Sequence, residues 1–162
     1  MAVTTKIKIK IGDIIEIPTQ KGLVYAQYTH EHSESPHFGS LIRVFSDFYD
    51  ERPEDFNEVA KSQTKFGTFF PLEISVKLKL VTIVANKPII SKSQRFPIFR
   101  AGLRAPKTGR VEVWWFWDGE KEWKVGEITE DQRKLPIRQI VNYAELVKMI
   151  ESGWTPETDS SS

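Results

Sequence analysis

Residues 6–29 read KIKIKIGDIIEIPTQKGLVYAQYT. Lys6–Ile11 alternates lysine with isoleucine at every step, the period of a strand that buries one face. Gly12 and Asp13 interrupt or bend that strand before Ile14–Ile17, and Pro18 ends it at an edge. Thr19–Gly22 supplies the turn, and Leu23–Thr29 returns as the partner strand. Tyr25 and Tyr28 fall on opposite faces because their spacing is odd. The stretch opens an antiparallel meander and makes β-structure the expectation for the rest of the chain.

Working outward, Phe38–Phe48 reads as a further strand, with Leu41, Ile42, Val44 and Phe45 as its apolar residues. Pro53–Gln63 changes character: Pro53 suits a first helical turn, and Phe56, Val59 and Ala60 recur at helical spacing. Phe69–Leu80 and Val81–Ala85 are strand-like, and Asn86-Lys87-Pro88 closes them. Residues 87–110 are rich in proline and glycine and read as loop. Thr129–Arg133 forms a helical turn. Asn142–Ser152 is the clearest helix, with Asn142 as N-cap, Glu145 three residues on and Gly153 as C-cap. Its buried stripe is Leu146, Val147 and Ile150.

These elements predict an α+β fold of mostly antiparallel strands. The expected architecture is a twisted sheet or partly open small barrel, with a short middle helix and a C-terminal helix. Residues 1–155 form one domain, and the polar tail 156–162, PETDSSS, is frayed.

Composition narrows the function classes. The chain has no cysteine, which excludes disulfides, thiolate metal sites and cysteine nucleophiles. A net charge of +1 argues against a general polyanion binder while leaving local patches open. The N-terminal stretch lacks the apolar core of a signal peptide, and no window is apolar enough for a membrane span, so the expected compartment is the cytoplasm.

Four of the five tryptophans lie within Trp114–Trp123, around Asp118-Gly119. A two-residue turn there pairs Trp117 with Glu120 and Trp114 with Trp123. One face then carries Trp114, Phe116, Trp123 and Val125, and reads as core. The other carries Val113, Trp115 and Trp117 among Glu120, Glu122 and Lys124. A four-residue turn keeps the same division; a three-residue turn exchanges the faces of the second strand. Trp115 and Trp117 therefore stand as recognition anchors, or lie beneath a covering loop or helix.

Charge is also segregated. Asp47, Asp50, Glu51, Glu54, Asp55 and Glu58 stand against one base, Arg52. Lys87, Lys92, Arg95, Arg100, Arg104, Lys107 and Arg110 occupy an acid-free stretch. The basic loop suits phosphates or an acidic protein surface, and the acidic block suits a basic toxin or nuclease. Solvation, or pairing of the two blocks with each other, is the plainer alternative.

His30, His32 and His37 cluster beside Glu31 and Glu34 in a polar turn, and read as solvent-exposed loop more readily than as metal ligands. The sequence contains no nucleophile elbow, phosphate-binding loop, dinucleotide fingerprint or HExxH motif. Neither a catalytic residue nor a metal or cofactor is implied, and an enzyme is the disfavoured class.

Lys10-Ile11-Gly12-Asp13-Ile14-Ile15-Glu16-Ile17-Pro18, followed by Gly22 and Tyr25-Ala26-Gln27-Tyr28, resembles the immunity protein 26 family. To its members is attributed the protection of bacteria from polymorphic toxins. The resemblance, carried by the first part of the chain, implies an opening β-hairpin in a mostly β domain. It also implies stoichiometric inhibition of a cognate protein toxin, without turnover.

The expected partner-binding residues are Trp115 and Trp117 as apolar anchors. Asp50, Glu51, Glu54 and Asp55, or Arg95, Arg100 and Arg104, add charge selectivity. The alternative is a nucleic-acid-binding β-barrel using the basic loop and the same indoles.

Overall fold

In the computed structural model, which describes residues 8–162, β1 (Asp13–Thr19) has a neighbour on each side. Ile14-Ile15-Glu16-Ile17 is buried throughout instead of alternately because both faces of the sheet are covered, Ile15 and Ile17 by one core and Ile14 by the other. β2 (Gly22–His32), β3 (Gly39–Phe45), β4 (Thr64–Phe69) and β5 (Thr82–Asn86) complete an antiparallel sheet of order β4-β3-β2-β1-β5. Pro18 pairs with Leu23 and lies past the last β5 pairing at Glu16, so its missing N–H faces no neighbouring strand.

The strand expected at Lys6–Ile11 lies partly outside the described residues, and residues 8–10 are not strand. A turn precedes β1: Asp13 N–H donates to the Lys10 carbonyl at 2.9 Å, and Lys10 N–H to Asp13 Oδ2 at 2.8 Å. Gly12 takes φ +96°, and a Cβ there would sit 2.8 Å from the Lys87 carbonyl oxygen. Glycine is thus required both by its backbone angle and by the close approach of a second chain segment.

The two faces of this sheet carry separate cores. Ile15, Ile17, Val24, Ala26, Tyr28, Ile42 and Val44 lie beneath Leu146, Met149 and Ile150 of α4 (Tyr143–Ser152). Ile14, Tyr25 and Phe45 lie beneath Phe56, Val59 and Ala60. Tyr25 and Tyr28 therefore occupy opposite faces, as their spacing requires. α4 has the expected caps: Asn142 Oδ1 accepts from Glu145 N–H at 2.8 Å, and Gly153 is left-handed at φ +73°. Its buried residues are Leu146, Met149 and Ile150, with Val147 at the margin.

Three expectations change in the middle of the chain. The Pro53–Gln63 helix contracts to α1 (Asn57–Ala60), because the preceding residues are tied to the sheet. Leu23 and Tyr49 exchange backbone hydrogen bonds at 2.8 Å, and Arg52 reaches back to Glu16. Leu72–Lys77 is a short helix, α2, and not strand. From the β4 edge the chain must cross to β5 at the opposite edge, and Ser75 Oγ bonds the Pro71 carbonyl at 2.7 Å within that crossing. Within 87–110, read as loop, the chain forms α3 (Ser91–Gln94) and β6 (Phe99–Ala101).

β6 pairs with β7 (Trp114–Trp117), which pairs with β8 (Glu122–Gly126), making a second antiparallel sheet. The fold is thus α+β with two sheets, neither closed into a barrel. Residues 136–141 join them. Arg138 N–H donates to the Arg100 carbonyl at 2.9 Å, and Val141 N–H to the Phe69 carbonyl at 3.0 Å. At this junction Leu41, Phe69, Phe99 and Trp117 pack together, flanked by Phe38 and Phe96.

The segment 156–162, expected to fray, is docked. Pro156 begins a 3-10 turn, and Pro156 and Ser161 are buried. Arg100 donates to the Pro156 carbonyl, and Val111 N–H to the Ser161 carbonyl at 3.0 Å. Asp159 and the three serines hydrogen-bond protein groups, whereas Glu157 stays exposed.

Candidate binding surface

The tryptophan hairpin has the four-residue turn. Trp117 pairs with Glu122 and Phe116 with Trp123. Asp118 Oδ1 accepts from the N–H groups of Glu120 at 2.9 Å and Lys121 at 2.7 Å, and these bonds hold its carboxyl below the usual range. The turn is fastened to the histidine stretch. His32 Nδ1 accepts from Phe38 N–H at 3.3 Å, so Nε2 carries the proton and donates to the Gly119 carbonyl at 3.0 Å.

Facial division does not decide exposure here. Trp117 is buried in the inter-sheet junction, with ring centroids 4.9 Å from Phe38 and 5.5 Å from Phe99. It is therefore a core residue, and its expected role as a recognition anchor is corrected. Trp115 is 37% exposed and borders a cavity with Leu103, Arg104 and Arg138. Trp123, read as core, is 39% exposed because β8 is an outer strand.

The basic stretch divides in the same way. Arg100 is fully buried: Nε donates to the Leu135 carbonyl at 3.4 Å, and one terminal nitrogen to the Arg133 carbonyl at 3.1 Å. Its guanidinium carbon lies 4.4 Å from the Trp114 ring centroid. It cannot meet a partner, which corrects its expected role. Arg104 is exposed but already engaged, with a nitrogen 3.2 Å from Asp159 Oδ2. Arg95 is exposed.

Asp50, Glu51, Glu54 and Asp55 are all exposed on the loop that covers the Tyr25–Phe56 core. The lone base among them, Arg52, is spent inward on Glu16, with contacts of 2.8 and 3.0 Å. Arg52, and then the Tyr25 hydroxyl at 2.8 Å, hold the Glu16 carboxyl below its usual range against the opposing effect of burial. Among the described residues no ion pair joins residues 47–58 to residues 87–110. The two charge blocks remain separate surfaces.

A cleft of about 770 Å³ lies along β4, between residues 61–67 and residues 90–97. Lys61, Lys65, Lys92, Arg95 and Lys134 line it, and among the described residues no aspartate or glutamate does. Beneath them Arg43 is 3% exposed and donates only to neutral oxygens: Gln27 Oε1 at 3.1 Å, Thr64 Oγ1 at 3.1 Å, Ser62 O at 3.2 Å and Ala60 O at 2.6 Å. Burial lowers its pKa to about 10, so it remains a cation at neutral pH with no carboxylate to cancel it. His30 fastens one wall, its Nε2 facing the Gln94 carbonyl at 2.8 Å and its Nδ1 the Thr29 hydroxyl at 3.0 Å. The arrangement offers positive charge and backbone groups, the chemistry of anion recognition.

This cleft was not foreseen, since only Arg95 belonged to the expected site. A sequence signal for it does exist: from Val59 to Val111 the only acid is Glu73. That imbalance extends well before the basic loop and covers the strand that faces it. Among the described residues no group of His, Asp and Glu side chains converges as a metal site, and no helix is long and apolar enough to cross a membrane. Comparison with protein-family models, curated proteins and solved structures gave no match to this chain.

Proposed function

We propose that this chain is a stoichiometric protein-binding domain, an immunity protein that neutralises a cognate toxin in the cytoplasm by occupying it. The observation that carries this reading is the separation of unspent charge. The acidic loop and the basic cleft both face outward and touch only through the exposed pair Lys61–Glu58 at 3.6 Å. Among the described residues Asp50, Glu51, Glu54 and Asp55 on one side, and Lys65, Lys92 and Arg95 on the other, form no ion pair. Complementary charge of this kind steers and selects a protein partner. The resemblance of Lys10–Tyr28 to an immunity family points the same way. Of the expected contact residues, Trp115, Asp50, Glu51, Glu54, Asp55 and Arg95 remain on the surface, whereas Trp117 and Arg100 serve the fold.

The basic cleft also favours a second reading, a nucleic-acid-binding module. Binding of single strands combines basic grooves with aromatic rings on which bases stack. The cleft's one phenyl ring, Phe66, is buried in the core, while the exposed indoles Trp115 and Trp123 lie on the second sheet. The protein-binding reading is therefore preferred.

A tagged chain recovered from its native host, with and without nuclease, tests this choice. The expected outcome is one nuclease-resistant protein in near-equal amount, whose toxicity is suppressed on co-expression. Recovery of nucleic acid, or of partners lost after nuclease, would move the second reading to the front.

A further inference from the structure

We propose that the cleft along β4 receives an extended acidic segment of a partner protein, which adds as a further strand to the open edge of the first sheet. The proposal rests on the protein-binding reading and identifies the surface and the chemistry of the partner.

β4 is the last strand of its sheet. Residues 139–141 cover only its Phe69 end, leaving Thr64–Gly67 to border the cleft. Phe69 turns its carbonyl outward to Val141 N–H at 3.0 Å, whereas Phe70 N–H returns to the Ser40 carbonyl at 2.9 Å. Backbone direction alternates along a strand, so Gly67, two residues before Phe69, turns its N–H and carbonyl to the open side. Having no side chain, it leaves that backbone accessible to an approaching strand.

Charge then selects the occupant. Lysines on an exposed edge oppose pairing between two copies of it, since like charges would meet. The same lysines favour an acidic strand. Lys65 projects from β4 itself, with Lys92 and Arg95 across the cleft and Arg43 uncompensated below. Strand addition takes affinity from main-chain bonds and specificity from alternate side chains. An acidic segment of alternating pattern supplies both. Single-stranded nucleic acid would satisfy the charge but would find no exposed phenyl or indole ring to stack on and no use for the Gly67 backbone.

The test uses the full chain and a fluorescent peptide of alternating glutamate and valine. Binding is followed by anisotropy, and exchange of the Gly67 amide by NMR. The peptide should bind and slow Gly67 exchange, and the double variant K65E/R95E, altered only at exposed positions, should weaken binding by about tenfold or more. A peptide N-methylated at alternate residues keeps its charge but loses edge bonding, and should weaken similarly. Equal binding of the methylated peptide, equal binding to K65E/R95E, or tighter binding of a thymidine oligonucleotide of the same charge would each overturn the proposal. So would concentration-dependent self-association removed by K65E/R95E, which would make the acidic loop of a second copy the occupant. Host capture separates the two levels. A protein partner retained undiminished by K65E/R95E overturns this cleft assignment and leaves the protein-binding reading standing. Failure of the wild-type chain to capture any protein counts against that reading, and the peptide result then decides the cleft.

Discussion

Trp115 and Trp117 lie two positions apart on one face of β7, yet mutation should separate them. Trp117 fills the inter-sheet junction, so Trp117→Ala should cost about 3–5 kcal/mol in denaturant unfolding. Trp115→Ala should cost under about 1 kcal/mol, with partner affinity as the quantity to watch. Alternation correctly grouped the two indoles. What buries one of them is Phe96 and Phe99 from the stretch read as loop, together with Phe38, none of it visible from the hairpin's own period. Glu16 makes a second residue-level prediction. Its folded pKa is held below the unfolded value of about 4.5, so its contribution is complete above that value and is lost as pH falls through the folded one. Glu16→Gln should therefore flatten the acid side of the stability profile, measured as urea midpoints between neutral pH and the region below 4.5.

At the scale of elements, α4 was legible because both ends and most of its apolar stripe, Leu146 and Ile150, are written locally, although Met149 takes the buried place expected of Val147. Asn142→Ala removes the bond to Glu145 N–H and should cost about 1 kcal/mol, read as a lowered Tm. α2 was not legible: L-E-I-S-V-K-L-K-L alternates as a strand does, and only the crossing from β4 to β5 overrides that pattern. The basic cleft was partly legible, through Arg95. Its other wall was not: Lys61 sits in the stretch read as helix and Lys65 in residues 64–68, assigned to no element, which form most of β4. Residues 156–162 look solvated in sequence because their partners, Arg100, Arg104 and Val111, are distant along the chain. Arg100→Met should leave several carbonyls without their donor and destabilise by about 1–3 kcal/mol. Faster exchange at the Val111 amide, which donates to Ser161, would locate the loosening in that segment.

For the whole molecule, the joining segment 136–141 ties both sheets through backbone bonds at Phe69 and Arg100. Unfolding followed by tryptophan fluorescence in a Trp154→Phe variant, which removes the indole packed against Phe66 of the first sheet, should coincide with far-ultraviolet dichroism, which samples both sheets; two separate transitions would show that the joint does not couple them. The same joint bears on how the chain is made. The first sheet's strands end at Asn86, but the segment covering the Phe69 end of β4 and the helix covering one apolar face come only after Pro136. A ribosome therefore releases the sheet well before its cover. During that interval Ile15, Val24, Ile42 and Val44 lack their lid, and a message truncated before Val141 would yield a chain made for aggregation or chaperone capture.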